Sequence, residues 1–185
     1  MSPLKLVVSG PVGAGKTTFV QTLSQTLVIA TEAEASEDIG KPLTTVAFDF
    51  GTLTLEGQEL HIYGTPGQDR FNFMWDVLCE GALGLVMLVA GDRPQDFAHA
   101  RNILDYIATR FPIPFVVGVT RQDLDQVWRP ANIAAYFGLP SHLVTGLDAT
   151  DQAAAIQVLV RLLEHLQPRT AHGQALPSAG TLPQA

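Results

Sequence analysis

Three observations predict a three-layer α/β fold around a mostly parallel sheet. Short apolar runs bounded by glycine or proline alternate with stretches of helical periodicity along the 185 residues. One pair of strand-like runs is joined by a tight turn, giving one antiparallel hairpin strand near the start. Finally, the segment Gly10-Pro11-Val12-Gly13-Ala14-Gly15-Lys16-Thr17 stands between an apolar run and a helical one, the strand-to-helix setting of a phosphate-binding loop.

The elements follow in order. Leu4–Ser9 reads as a buried strand and Gly15–Ile29 as the helix after the loop. Thr31 to Leu43 lacks apolar periodicity, carries Glu32, Glu34, Glu37 and Asp38, and is expected to be a loop. Thr45–Leu55 and Glu59–Tyr63 read as strands joined by a turn at Glu56-Gly57-Gln58. Leu83–Val89 and Phe115–Val119 have the bounded apolar character of buried parallel strands. Between them, Gln95–Arg110 repeats Phe97, Ala100, Ile103, Leu104 and Ile107 at helical spacing. Pro130 to Phe137 is a short helix with proline in its first turn and Gly138 beyond its end. His142–Thr145 is a last strand. Asp151–Leu166 is a helix with Asp151 as N-cap and an apolar stripe through Ile156, Leu159, Val160, Leu163 and Leu166. Residues 1–167 thus make one domain, and the Pro-, Ala-, Gly- and Gln-rich stretch 168–185 is expected to be a disordered tail.

Composition removes several classes of function. Net charge is −7 and the lysines are Lys5, Lys16 and Lys41 alone, which argues against a nucleic-acid partner. Cys79 has no second cysteine for a disulfide or a thiolate metal site, and suits a core position in a reducing compartment. No apolar run reaches the length of a membrane span. Neither a signal peptide nor a lipidation motif is recognisable, so a cytoplasmic protein without a membrane anchor is expected.

The phosphate loop carries the most specific chemistry. Its glycines let backbone N–H groups converge on a phosphate, and the following helix adds its dipole. Gly13, Ala14, Gly15, Lys16, Thr17 and Thr18 form the predicted nucleotide-binding run. Lys16 would reach the β- and γ-phosphates, and the Thr17 hydroxyl would ligate Mg²⁺. Three later segments address the base and the γ-phosphate. Thr120-Arg121-Gln122-Asp123 follows a strand, and a carboxylate there can accept the N1 and 2-amino hydrogens of guanine; the alternative is a solvated turn. Asp148-Ala149-Thr150 follows the last strand, and small Ala149 would let a backbone N–H approach the guanine O6. In Gly64-Thr65-Pro66-Gly67-Gln68, Gly67 would offer its N–H to the γ-phosphate and Gln68 would orient the attacking water.

With these parts in order, the chain resembles the Ras-like small GTPases from about Leu4 to Leu166, and in particular a bacterial group akin to the gliding-motility GTPases. That group carries signatures like Thr44-Thr45-Val46-Ala47-Phe48-Asp49-Phe50-Gly51 and Gly64-Thr65-Pro66-Gly67-Gln68-Asp69-Arg70-Phe71, and often accompanies roadblock-type proteins. The resemblance implies a GTP/GDP switch requiring Mg²⁺, with effectors and an activating protein meeting switch I (31–45) and switch II (64–80). By position it makes Thr45, with Thr44 as competitor, the switch I ligand of Mg²⁺, Gln68 the catalytic glutamine and Asp123 the guanine reader.

Four departures bear on mechanism. Gly64 stands where switch II usually opens with an aspartate that holds Mg²⁺ through water, so weaker Mg²⁺ retention is expected unless Asp49 or Asp92 substitutes. Thr120 and Arg121 replace the usual Asn and Lys; arginine keeps a flat cation, while threonine offers fewer hydrogen bonds. Val12 replaces the glycine of Ras itself and would crowd the γ-phosphate region. No arginine precedes Arg70, so switch I supplies no arginine finger, an element worth about 10³ to 10⁵ in rate. Slow intrinsic hydrolysis that needs a partner is the expectation.

Phe71, Phe73, Met74, Trp75 and Leu78 crowd the segment after Gln68. Most would pack on the sheet, with Phe73 or Trp75 left exposed as a docking patch. Two other functions compete: an assembly adaptor that binds GTP and scarcely hydrolyses it, and a small-molecule phosphotransferase. The second lacks an arginine-rich lid.

Overall fold

A computed structural model describes residues 2–26, 29–35, 44–68 and 72–166, with backbone alone at 29–35 and 44–47. Seven strands form one sheet in the order β2-β3-β4-β1-β5-β6-β7. They are β1 (Leu4–Ser9), β2 (Ile29–Ala35), β3 (Thr44–Leu55), β4 (Gln58–Gly64), β5 (Gly84–Ala90), β6 (Phe115–Thr120) and β7 (Val144–Gly146). β3 pairs antiparallel with both of its neighbours, so it alone runs against the others. The expected α/β class with one antiparallel hairpin strand is what forms.

Among the described residues five α-helices cover the sheet: α1 (Lys16–Leu23), α2 (Asn72–Cys79), α3 (Phe97–Arg110), α4 (Pro130–Phe137) and α5 (Gln152–Leu166). Alternation along the central strands divides the core between two faces. Leu6, Val8, Val86 and Leu88 join Phe19 and Leu23 of α1 and Leu159 of α5. Val7, Leu85, Met87 and Val89 join Leu78 of α2, Phe97 and Leu104 of α3 and Phe137 of α4. Phe19 is fully buried, and truncation to Ala would cost about 3–5 kcal/mol.

Two expectations need correction. The first helix ends at Leu23 and does not reach Ile29. Ser24 stops it: its N–H still bonds Val20 O, but its Oγ binds Thr26 O and receives the Thr52 N–H, committing the chain to β3. Residues 29–35, expected to be loop from Thr31 onward, form β2, paired from Ile29↔Phe50 to Ala35↔Thr44. Its Ile-Ala-Thr-Glu-Ala-Glu-Ala sequence does alternate with period two. As an edge strand with one neighbour it needs no apolar run, and its glutamates discourage pairing with another sheet.

The 168–185 tail, most of the acidic run with Glu37 and Asp38, and Asp69, Arg70 and Phe71 lie outside the described residues. Among the described residues no helix is long and apolar enough to cross a membrane. β1 lies centrally, with β4 on one side and β5 on the other. The carboxyl ends of such strands are where open α/β sheets bind ligands.

Candidate nucleotide site

The loop after β1 borders a cleft of about 430 Å³ lined by Val12, Gly13, Gly15, Lys16, Thr17 and Thr18. Phe48, Asp49, Gly64, Thr65, Pro66, Gly67 and Arg121 complete the wall. Lys16 is 8% exposed, and its Nζ donates to Gly10 O at 2.7 Å and Pro11 O at 2.6 Å. Burial lowers its pKa to about 8, with the Asp49 carboxylate pulling the other way. A cation held this way is poised beside the backbone donors of the loop.

Thr17 Oγ1 donates to Asp49 Oδ2 at 2.6 Å. Asp49 lies opposite Gly64 in the β3–β4 ladder. A Cβ on Gly64 would sit 3.1 Å from Asp49 Cβ and 3.2 Å from its Oδ2. The carboxylate therefore occupies the space beside Gly64, coming from the neighbouring strand. Asp92, the other candidate, is exposed and does not line the cleft. One hydroxyl and one carboxylate, with phosphate oxygens and water, fit the oxygen-only octahedral preference of Mg²⁺. Thr45 stands opposite Glu34 in the β2–β3 ladder, four residues before Asp49. An extended strand separates those two positions by about 13 Å.

The segment after β4 is pinned to the loop. Thr65 N–H donates to Val8 O at 2.8 Å, and Thr65 Oγ1 donates to the buried Ser9 Oγ at 2.8 Å. A Cβ on Gly67 would fall 2.6 Å from Val12 N and 2.8 Å from Lys16 Nζ, so only glycine fits against the loop. Two side chains hold this stretch from behind. Trp75 Nε1 of α2 donates to Pro66 O at 3.2 Å, and His99 Nε2 of α3 lies 3.2 Å from Gly67 O. His99 gives no signal in the sequence, since nothing local marks a histidine on α3 as a contact of the segment after β4. Gln68 is exposed and is not among the residues lining the cleft. Val12 lines it but is 55% exposed.

On the other side, buried Thr120 ends β6 and its Oγ1 donates to Ala14 O at 2.9 Å, tying the loop to the sheet. Thr120 and Ala149 also pack on Gly15, where a Cβ would meet their methyl groups at 3.5 and 3.6 Å. Arg121 follows at φ 65. Asp123 is exposed in the next turn. That turn is clasped from its far side: Gln122 Nε2 donates to Trp128 O at 3.0 Å, and Arg129 Nη1 donates to Gln122 O at 3.0 Å. Asp148 Oδ1 accepts both the N–H and the hydroxyl of Thr150, which lowers its pKa and fixes the loop carrying Ala149. Asp151 Oδ1 accepts the Ala153 and Ala154 N–H groups, the N-cap expected of it.

In the hydrophobic segment of α2, Met74, Trp75 and Leu78 are buried, while Phe73 and Val77 are 39% and 59% exposed. Cys79 is buried, and desolvation pushes its thiol up to about 12. It is a core residue.

Loop, cleft and sheet order define a nucleotide-binding α/β protein with the fold of a Ras-like small GTPase. The chain belongs to the family described as conserved hypothetical ATP binding proteins, whose sequence model matches residues 8–168. It is 36% identical over 130 residues to an uncharacterized protein, MJ1339, of the archaeon Methanocaldococcus jannaschii; the match covers 67% of this chain and 73% of that one. In fold it is similar to the Arl6 BBS3 small GTPase of Trypanosoma brucei, solved with the nucleotide analogue GppNp. The TM-score is 0.70 at 12% identity, over 89% of this chain and 98% of that one.

Proposed function

We propose that this chain is a guanine-nucleotide switch that hydrolyses GTP slowly and works through protein partners. The observation that carries the reading is the seating of Gly67 on the phosphate loop, against Val12 N and Lys16 Nζ. A γ-phosphate gripped by Lys16 would arrive at the Gly67 backbone, so the two nucleotides would leave switch II in different positions. The motion would pass to α2, which carries the exposed Phe73 and Val77 as a surface for an effector, an activating protein or a roadblock-type partner. The Thr44–Gly51 and Gly64–Phe71 signatures favour the bacterial group named above.

Binding would use the loop N–H groups of Gly13 to Thr18 and the Lys16 ammonium. Mg²⁺ would be held by Thr17 and Asp49; a hydroxyl of switch I at Thr45 or Thr44 would join them in the GTP state only if that end of β3 left its pairing with β2, and the ion would neutralise charge on the β- and γ-oxygens. Thr120 and Ala149 would set the loop against the base pocket, Arg121 would lie along the purine, and Asp123 would accept the guanine N1 and 2-amino hydrogens. The family description names ATP, but an adenine offers neither hydrogen in that arrangement, which favours guanine. Gln68 would orient water once a partner brings it over the cleft. Its exposed position outside the cleft lining also supports the second reading, an adaptor that binds GTP and scarcely turns it over. The buried thiol of Cys79 suits a cytoplasmic location.

Calorimetric titration with GTP, GDP and ATP, each with and without Mg²⁺, tests the reading. Guanine nucleotides should bind at least tenfold tighter than ATP, with Mg²⁺ strengthening GTP. Preference for ATP would overturn it. Single-turnover hydrolysis with and without candidate partners then separates switch from adaptor.

A further inference from the structure

Arg93 lies on the phosphate loop from a direction the motifs do not reveal. It sits in the turn between β5 and a short 3-10 turn, Pro94–Asp96. Arg93 N–H donates to Ala90 O at 3.1 Å and Asp96 N–H donates to Arg93 O at 3.0 Å, so the backbone of the turn is fixed. Its Nε donates to Asp96 Oδ2 at 2.6 Å, which sets the plane of the guanidinium. That plane covers Gly13. A Cβ built there would meet Nη1, Cζ and Nε at 3.3, 3.4 and 3.6 Å, near-equal distances that turn the flat face toward the loop. Gly13 also has φ +81, a conformation that calls for glycine. Asp96 takes the Nε edge, and among the described residues no acceptor in the protein bonds the Nη groups.

Arg93 does not line the cleft and its side chain is 42% exposed, so its guanidinium borders the phosphate cradle only across Gly13. The backbone around Gly13 belongs to the part of such a loop that holds the α- and β-phosphates. We propose that Arg93 is a further nucleotide-binding residue, which donates from its Nη groups to α- or β-phosphate oxygens of the bound nucleotide. The inference rests on the nucleotide reading above and deepens it. The chain would then carry an in-cis cation beside Lys16, although no arginine precedes Arg70. Because GDP and GTP share the β-phosphate, both should depend on Arg93. A finger that served only the γ-phosphate would leave GDP unaffected.

The test is dissociation of fluorescent GDP and GTP from full-length wild type, Arg93→Gln, Arg93→Lys and Asp96→Asn, alongside the melting temperature of each protein without nucleotide. A lost charge-assisted hydrogen bond should speed release of both nucleotides roughly ten- to hundredfold in Arg93→Gln. Arg93→Lys should recover part of the loss, and Asp96→Asn should show a smaller increase through misorientation. The nucleotide-free melting temperatures should stay within the range of surface substitutions. Unchanged GDP release in Arg93→Gln would overturn the proposal, as would release that tracks a lowered melting temperature. Failure of the wild type to bind either nucleotide would instead strike the functional reading itself. If Arg93→Gln does not fold, Asp96→Asn and Arg93→Lys decide by the same comparison.

Discussion

Asp49 and Gly64 face each other across the β3–β4 ladder, and the carboxylate of one fills the space a side chain on the other would need. The Asp49 carboxylate reaches Thr17 Oγ1 at 2.6 Å, in the cleft where a metal would sit. Under the proposed function, Asp49 would supply from the neighbouring strand the carboxylate that Gly64 lacks. Asp49→Asn should weaken the Mg²⁺-dependent part of nucleotide binding about tenfold or more while leaving Mg²⁺-free binding nearly unchanged. Restoring the usual residue by Gly64→Asp should fail to help. It would force a side chain into contact with Asp49 and set two carboxylates together, costing about 1–3 kcal/mol in urea unfolding. Equal Mg²⁺ dependence in Asp49→Asn and wild type would refute the assignment.

Lys16 gives a proton signature. Its folded-state pKa, about 8, lies below the usual 10.5 because burial disfavours the charge. Between those values the unfolded chain binds more protons, so this group adds stability as pH rises through the window and loses it as pH falls through 8. A bound phosphate reverses the local balance by favouring the ammonium. Nucleotide binding at about pH 8.5 should therefore take up a proton, seen as a heat that varies with buffer ionisation enthalpy. The same titration near pH 6.5 should show no uptake from Lys16.

Gly67 and His99 form the link between the loop and α3. Gly67→Ala should be among the costliest single-methyl changes in the site, since the added carbon meets Val12 N at 2.6 Å. We expect it to abolish the preference for GTP over GDP while GDP still binds. His99→Ala removes the contact to Gly67 O and should reduce that preference several-fold. Because Gln can place a donor where Nε2 lies, His99→Gln should restore part of it. Measuring GTP and GDP affinities in parallel separates this from a general loss of folding.

Asp123 is the proposed reader of the base. Asp123→Asn should lower GTP affinity and raise affinity for xanthosine triphosphate, because the amide donates where the carboxylate accepts. A competition assay between the two nucleotides reads the change directly. Unaltered GTP binding in the variant would assign Asp123 to a solvated turn.

Much of this was legible in the sequence for a local reason. A strand announces itself by a short apolar run and a helix by its stripe, so β1, β5, β6, α3 and α5 fall close to their expected places. β2 was missed because an edge strand with glutamates carries no apolar run, and its alternation only has meaning once β3 lies beside it. Thr45 and Asp49 stand in one continuous strand, but only the register with β4 shows which of them lies opposite Gly64. His99, Gln122 and Arg129 act through contacts with backbone that is distant or folded back on itself, and such partners leave no spacing to find.

The phosphate loop was determined by the sequence alone, because eight consecutive residues specify its turns, its donors and its lysine within one strand-to-helix passage. Tertiary structure decided what surrounds it. Strand pairing brought Asp49 to Thr17, the β5 turn laid Arg93 over Gly13, and α3 put His99 behind Gly67. Each of these joins residues far apart along the chain, and their meeting depends on sheet order and helix packing, which no local pattern encodes.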